Sequence, residues 1–553
     1  MKEIKAPGGK KIELLAETSW EVCNKIGGIY AVLSTKARVL QEKYGDKLVF
    51  LGPDVWDADN KSPYFIEDPK LFNKFEEKTD IEFGITVRTG RWDIPGSPQV
   101  ILIKFNGVFD HLNDIFGMMW ERFGVNSYHE YGDYREGCAF AIATALTIKS
   151  LFSHLGISAY NVMAHFNEWT TSMGLLYLNT ISPEVATVFT THATSIGRSI
   201  CGNGKPLYDY FHGYNGDQMA TELNMEAKHS LEKTAAHNAD CFTAVSEVTA
   251  KECEQLLDIK PQAVTPNGFE PGFVPGDKEY KKLRKEGRAK LFNIAKALTK
   301  QDFADDSLIV ATSGRNEYRN KGIDLFIDSL LQLQKMNTQK KILALILVPA
   351  WVKNPSKCLI EEGNNSGCED FLTHNLYNED SDTIAVRIRN LQHGGELRDN
   401  VRVIYVPCYL DGNDGIFNIS YYDILPAIDI TVFPSYYEPW GYTPLESVAF
   451  GIPTLTTDKS GFGQWVLSNF VNSIYSSGVR VVNRTDSNYH DAAHEIARQL
   501  NQYAEAPKEI HDDVRNACCE TTKKADWKFF IFFYYKAFLI ASERRDERIS
   551  KNK

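Results

Sequence analysis

Short apolar runs of strand type alternate with helical patterns along the whole of this 553-residue chain, in two successive sets. A parallel sheet with crossover helices needs that alternation, so the pattern restricts the chain to α/β architecture. In the first half KIELLAETS (residues 11–19) reads as the first strand. Gly27 and Gly28 then lead into the amphipathic IYAVLSTKARVLQEKY, and QVILIKF, YNVMAHF, ATVFTTH and DCFTAVS supply further strands. Around VTPNGFEPGFVPGDKEYKKLRKEG the chain turns rich in Pro, Gly and charge, which marks a domain boundary near residue 275. The alternation then restarts with SLIVATS, KILALILVPA, VRVIYVP and DITVFPS. Residues 354–400 are polar and poorly patterned and read as a surface excursion. FFIFFYYKAFLIA (residues 529–541) is too short to span a bilayer and reads as a buried aromatic helix. The expected division is 1–275, 276–526 and a C-terminal helix, 527–553, packed on the first domain. Two α/β halves of similar size also lead us to expect a ligand cleft between them, at the strands' carboxyl ends.

The totals exclude some partners. Lysine and arginine number 61 against 72 aspartates and glutamates, a net charge of −11, so no broad attraction to nucleic acid or anionic lipid is expected. An anionic ligand needs a local basic site. The ten cysteines form no regular framework and no CxxC pair, and the N-terminal stretch holds no apolar run of signal-peptide length. A reducing cytoplasm is the expected setting.

Chemistry concentrates where strands end. FPSYYEPWGYTPLES sets Glu438 just past the strand DITVFPS, and Gly441, Tyr442 and Thr443 open a helix whose amides suit a phosphate. Thr443, Pro444 and Glu446 fit a capping box, so Glu446 has a structural reading as well as a ligand-binding one. SGRNEYRNKG, after SLIVATS, offers Arg315, Arg319 and Lys321, enough charge to neutralise a diphosphate without a metal, although a solvated basic loop reads the same way. In the first half, Lys25 with Gly27 and Gly28 forms a tight turn, HFNEW carries Asn167 and Glu168, and TTHATSIGRS carries His192 and Arg198. A histidine there serves structure as readily as sugar hydroxyls. Neither DxD-shaped triplet, at Asp57–Asp59 or Asp380–Asp382, sits in a strand-end loop with basic neighbours, no metal motif is present, and no GxSxG elbow supports a hydrolase.

FPSYYEPWGYTPLES, SGRNEYRNKG, VFTTHATSIGR, VCNKIGGIYAVLSTKA and TAAHNADCFTAVSEVTA together resemble the eukaryotic-type glycogen synthases, glycosyltransferase family 3. The resemblance runs from about residue 12 to the DWK at 526–528. It implies a GT-B fold: two Rossmann-like domains facing a central cleft, with the C-terminal helix crossing back to the first. It implies retaining transfer of glucose from UDP-glucose to the non-reducing 4-OH end of an α-1,4-glucan such as glycogen, with no metal or other cofactor. By position, Arg315 and Lys321 match the pair that stabilises departing UDP, and Glu438 the acid beside the reacting centre. Glu446 matches the holder of donor hydroxyls and Tyr421 a tyrosine stacked on the base. Gly441, Tyr442 and Thr443 match amides on phosphate, and Lys25, Gly27 and Gly28 the loop that closes on the donor. His192 and Arg198 match cleft-lining residues, and Glu168 and Asn167 lie on the acceptor side, where the family usually has FHEW rather than FNEW. The arginine cluster that binds glucose 6-phosphate in such enzymes is reduced here to Arg515 with Lys523 and Lys524. The excursion at 354–400 is shorter than the family's tetramer-forming insertion, which leaves a homo-oligomer open. ADP-glucose as donor, another acceptor, or a non-catalytic glucan-binding role are the alternatives.

Overall fold

The computed structural model describes residues 11–56, 61–336, 338–360, 370–397 and 400–551. The triplet at 57–59 lies outside them. The chain divides into two compact units, one of residues 1–200, 210–270 and 525–553, the other of 201–209 and 271–524.

The first unit is built on a nine-stranded sheet. Its strands are β1 (Leu14–Thr18), β2 (Leu48–Pro53), β3 (Phe65–Glu67), β4 (Thr86–Trp92), β5 (Gln99–Lys104), β6 (Val162–Asn167), β7 (Ala186–Thr191), β8 (Cys241–Ala244) and β9 (Ala263–Val264). The order is β3-β4-β5-β2-β1-β6-β7-β8-β9. From β5 through β9 every pairing is parallel, whereas β3 and β4 join antiparallel at one edge. Leu15, Ala16, Phe50, Leu51, Ile101 and Phe166 are fully buried, as strands covered on both faces must be. The strand order reverses between β1 and β6, and the turns after those two strands carry Lys25, Gly27, Gly28 and Glu168. An open α/β sheet forms its ligand crevice at such a switch point.

The C-terminal helix, Trp527–Lys551, belongs to this unit. Trp527 Nε1 donates to Thr35 Oγ1 at 2.8 Å, and the buried Arg545 donates to the carbonyls of Tyr160 and Glu184. The helix is longer than its aromatic run and less completely covered, since Phe532 and Phe533 stand exposed.

The second unit holds a six-stranded, all-parallel sheet of β10 (Leu308–Ser313), β11 (Ile342–Leu347), β14 (Val401–Val406), β15 (Ile430–Phe433), β16 (Thr454–Thr457) and β17 (Val479–Val482). A separate antiparallel ribbon pairs β12 (Val352–Pro355) with β13 (His374–Leu376). The main order, β14-β11-β10-β15-β16-β17, is that of a Rossmann sheet, and its switch point falls between β10 and β15. The stretch 354–400 is not simply a polar excursion. Besides β13 it contains the helix Thr383–His393, capped by Asp382 and burying Ile384, Ala385, Ile388 and Leu391. Its apolar spacing is diluted by arginines on the outer face, which hides the period.

Candidate active site

In the second unit the loops after β10 and β15 are stitched together. The amides of Tyr436 and Tyr437 both donate to the Asn320 carbonyl, at 2.9 and 3.1 Å. Gly322, at φ 66°, has no room for a side chain, because a Cβ there would lie 2.1 Å from the Pro434 carbonyl oxygen. This contact fixes the turn that carries Lys321. Lys321 Nζ donates to Glu438 Oε2 at 2.5 Å, so the structure brings these two predicted residues together. Glu438 is held from its other side by the β16 turn, where the Gly461 amide donates to its carbonyl at 3.2 Å. Arg315 is 49% exposed and pairs with Glu317 at 2.9 Å.

Gly441, at φ 99°, is itself the cap of the helix Tyr442–Ala449, with no side chain capping it. The expected box at Thr443 therefore does not form: the left-handed glycine starts the helix two residues earlier and leaves Thr443 inside the first turn. A side chain at 441 would come within 3.3 Å of Glu438 Cγ, so the glycine lets that acid lie against the helix start. Glu446 is buried and accepts from Tyr422 Oη at 2.6 Å. Burial and the facing Glu446 carboxylate push the Tyr422 phenol far up. Tyr421 Oη lies 2.9 Å from Ser313 Oγ at the end of β10. Arg319 is engaged within its own unit. It donates to the Gly204 carbonyl at 2.6 Å and covers the Tyr436 ring at 5.0 Å.

In the first unit a buried polar chain runs under the predicted residues. Glu17 on β1 accepts from Lys36 Nζ at 2.8 Å, from Asn167 Nδ2 at 2.9 Å, and lies 3.1 Å from His165 Nδ1. Asn167 also donates to the Thr18 carbonyl at 3.1 Å, and its Oδ1 lies 3.0 Å from His192 Nε2. Burial alone would raise the Glu17 carboxyl, but His165 and Lys36 hold it well below the usual carboxylate range. Asn167 thus sits in the interior rather than on an exposed acceptor surface. Sequence reasoning missed Glu17 and Lys36, although a glutamate inside an apolar strand is a usable signal, because it must find a partner.

Glu168 begins the next turn at φ 72°, a conformation costly for a residue with a side chain. Burial, then the neighbouring Glu232 carboxylate, raise its carboxyl, while Arg198 and the His192 amide oppose the rise. Glu232 is occupied by Thr191 Oγ1, the Ser195 amide and Ser195 Oγ. Lys25 is exposed, with its ammonium 5.8 Å from the Tyr30 ring centre. The turn at Gly27 carries an internal acid: Glu21 Oε2 accepts from the amides of Gly27 and Tyr30, both at 2.8 Å.

Among the described residues one group has metal-ligand types close together, His374, Cys408 and Asp414, with ligand atoms within 4.8 Å. Both His374 nitrogens are engaged there, by the Asp414 carbonyl and Thr373 Oγ1, each at 2.9 Å, and burial pushes the Cys408 thiol up to about 12. That chemistry describes a packed turn rather than a ligand set.

A family model described as "Glycogen synthase" matches residues 17–359 and 356–548. The chain belongs to the glycogen synthase family. It is 27% identical to the glycogen [starch] synthase of Neurospora crassa, over 97% of this chain and 85% of that one. Its identity to the Dictyostelium discoideum glycogen [starch] synthase is 29%, over 96% and 67%, and to the mouse liver glycogen [starch] synthase 28%, over 95% and 82%. The catalytic domain of Arabidopsis thaliana starch synthase IV, bound to ADP and acarbose, superposes with a TM-score of 0.59 at 14% identity, covering 97% of this chain and 100% of that one. At that identity the likeness shows the fold alone, which is GT-B. As a glycogen synthase family member the protein is a glucosyltransferase.

Proposed function

We propose that the protein transfers glucose from UDP-glucose to the non-reducing 4-OH end of an α-1,4-glucan such as glycogen, retaining the anomeric configuration. The observation that carries this reading is the Lys321–Glu438 contact at the β10/β15 switch point, beside the helix start at Gly441. A diphosphate in that turn meets the Lys321 ammonium, the half-exposed Arg315 guanidinium and the amides of Tyr442 and Thr443. As the glycosyl–phosphate bond lengthens, negative charge grows on the departing phosphate, and cations already in place stabilise it more than the ground state. The reading needs no metal or other cofactor. Glu438 beside the reacting carbon stabilises positive charge on the sugar. Glu446, held by Tyr422, accepts from the glucose hydroxyls, and Tyr421 stacks on the base. By the family resemblance, His192 and Arg198 of the first unit belong to the sugar, Lys25, Gly27 and Gly28 to the donor and Glu168 to the acceptor, with the buried Asn167 bonded to His192.

Arg515 stacks on the Tyr280 ring at 3.6 Å, Lys523 pairs with Glu520 at 2.5 Å, and Lys524 lies 4.4 Å from the Phe470 ring centre. Arg515 is thus engaged against a ring while Lys523 and Lys524 stand exposed, and so small a set of cations in place of the family's arginine cluster supports activity independent of glucose 6-phosphate. No helix of the described residues is long and apolar enough to cross a membrane. The described cysteines are free thiols, which supports a cytoplasmic setting. The test is UDP release from UDP-glucose with glycogen present, against an ADP-glucose control, with and without glucose 6-phosphate. Release with UDP-glucose, unchanged by the sugar phosphate, is expected. Preference for ADP-glucose would reassign the donor, and glycogen retention without turnover of either would make the protein a glucan binder.

A further inference from the structure

We infer that Asn167 is a positioning residue that fixes the tautomer of His192, placing the proton on Nε2 and leaving Nδ1 as a hydrogen-bond acceptor. Glu17 is fully buried between the Lys36 ammonium and the His165 ring. Lys36 is itself sealed on its far side by the Tyr534 ring, 4.3 Å from Nζ, so the pair stays dry and Glu17 stays ionised. An ionised carboxylate only accepts, and so does the Thr18 carbonyl. The end of Asn167 that faces both must therefore be its NH2, at 2.9 and 3.1 Å. Its oxygen is thereby turned to His192 Nε2, 3.0 Å away, and an oxygen facing that nitrogen requires an N–H.

His192 therefore meets a ligand as a neutral ring. Burial, then Lys36 and His165, bring its pKa down to about 3, with Glu17 opposing and Arg198 adding to the fall. Its Nδ1 has no partner among the described residues and can accept from a sugar hydroxyl; it cannot supply a proton to a departing phosphate. If Asn167 only satisfied Glu17, nothing would require its oxygen to meet the ring, and an effect on turnover through His192 would be absent.

This inference rests on the placing of His192 at the sugar's side, and the test separates the two. In the intact enzyme labelled with 15N-histidine, with His192→Ala used for assignment, the His192 signals are expected to show a protonated Nε2 and a bare Nδ1 from pH 5.5 to 8. A proton on Nδ1, or titration within that range, would overturn the tautomer whatever the activity. In kinetics with UDP-glucose and glycogen, Asn167→Ala is expected to lower kcat about tenfold in the wild-type background and less than about twofold in the His192→Ala background. Equal losses in both backgrounds would make Asn167 merely structural. If the wild type turned over no sugar nucleotide, the functional reading would fail while the nitrogen signals still decided the tautomer.

Discussion

In the second unit the charges proposed to meet the ligand keep some exposure: Arg315 is 49% exposed, and Lys321 and Glu438, a single close pair between two loops, are 18% and 12% exposed. In the first unit Glu17 and Lys36 are both 0% exposed and are tied through Asn167 to His192. In the proposed reading the first arrangement turns its cations to a phosphate. The second spends charge inside the fold and delivers a neutral, oriented ring. The same switch-point topology therefore carries two kinds of preorganisation, one electrostatic and one of orientation.

The sharpest way to break this contrast is to remove one partner of the buried pair. Lys36→Met should lose roughly 3–5 kcal/mol of stability, because Glu17 keeps its burial and loses its main cation. Urea unfolding measures it, and a loss under about 1 kcal/mol would show that the pair is not sealed. Lys321→Ala should behave in the opposite way, keeping its melting temperature within a few degrees while kcat falls about a hundredfold, near 2.7 kcal/mol. Gly322→Ala should cost roughly 1–3 kcal/mol and lower activity with it, since the added methyl displaces the Pro434 carbonyl that sets the Lys321 turn. Tyr422→Phe should raise the KM for the donor about threefold to tenfold with little change in kcat, through the lost hydrogen bond to Glu446.

The smallest effect concerns pH. The Glu168 carboxyl is raised from an ordinary value of 4.5, chiefly by burial and then by Glu232. Its stabilising contribution is present below the unfolded value and is lost as pH rises, because the unfolded chain ionises first. Glu168→Gln should gain on the wild type by a few degrees in melting temperature between pH 5 and pH 8. A constant difference across that range would contradict the raised carboxyl. Glu17 has the opposite sign. Its depressed carboxyl contributes stability above about pH 4.5, lost as the solution is acidified further.

The contrast also explains what was legible in the sequence. Arg315, Lys321, Glu438 and Gly441 could be placed in turns after strands because turn chemistry is local: glycine, proline and charge cluster within a few residues after an apolar strand. The parallel strands were legible for the same reason, as unbroken runs such as LIVATS and ILALIL. Glu17, Lys36, Asn167 and His192 come from four separate elements, and nothing within a few residues of any of them names its partner. The antiparallel β3–β4 edge was missed because TVRTGRW has too many polar residues to read as a strand. Thr443 was misread because a Thr-Pro-x-Glu pattern satisfies the capping rule on paper, whereas the left-handed Gly441 had already started the helix.

The central claim is that charge at the second unit's switch point drives glucosyl transfer from UDP-glucose. It is tested most directly by initial rates of UDP release on glycogen for the wild type and Lys321→Ala. A wild-type rate well above the ADP-glucose rate, falling about a hundredfold in the variant while the fold stays intact, is the predicted result. An undiminished rate in Lys321→Ala would contradict the account.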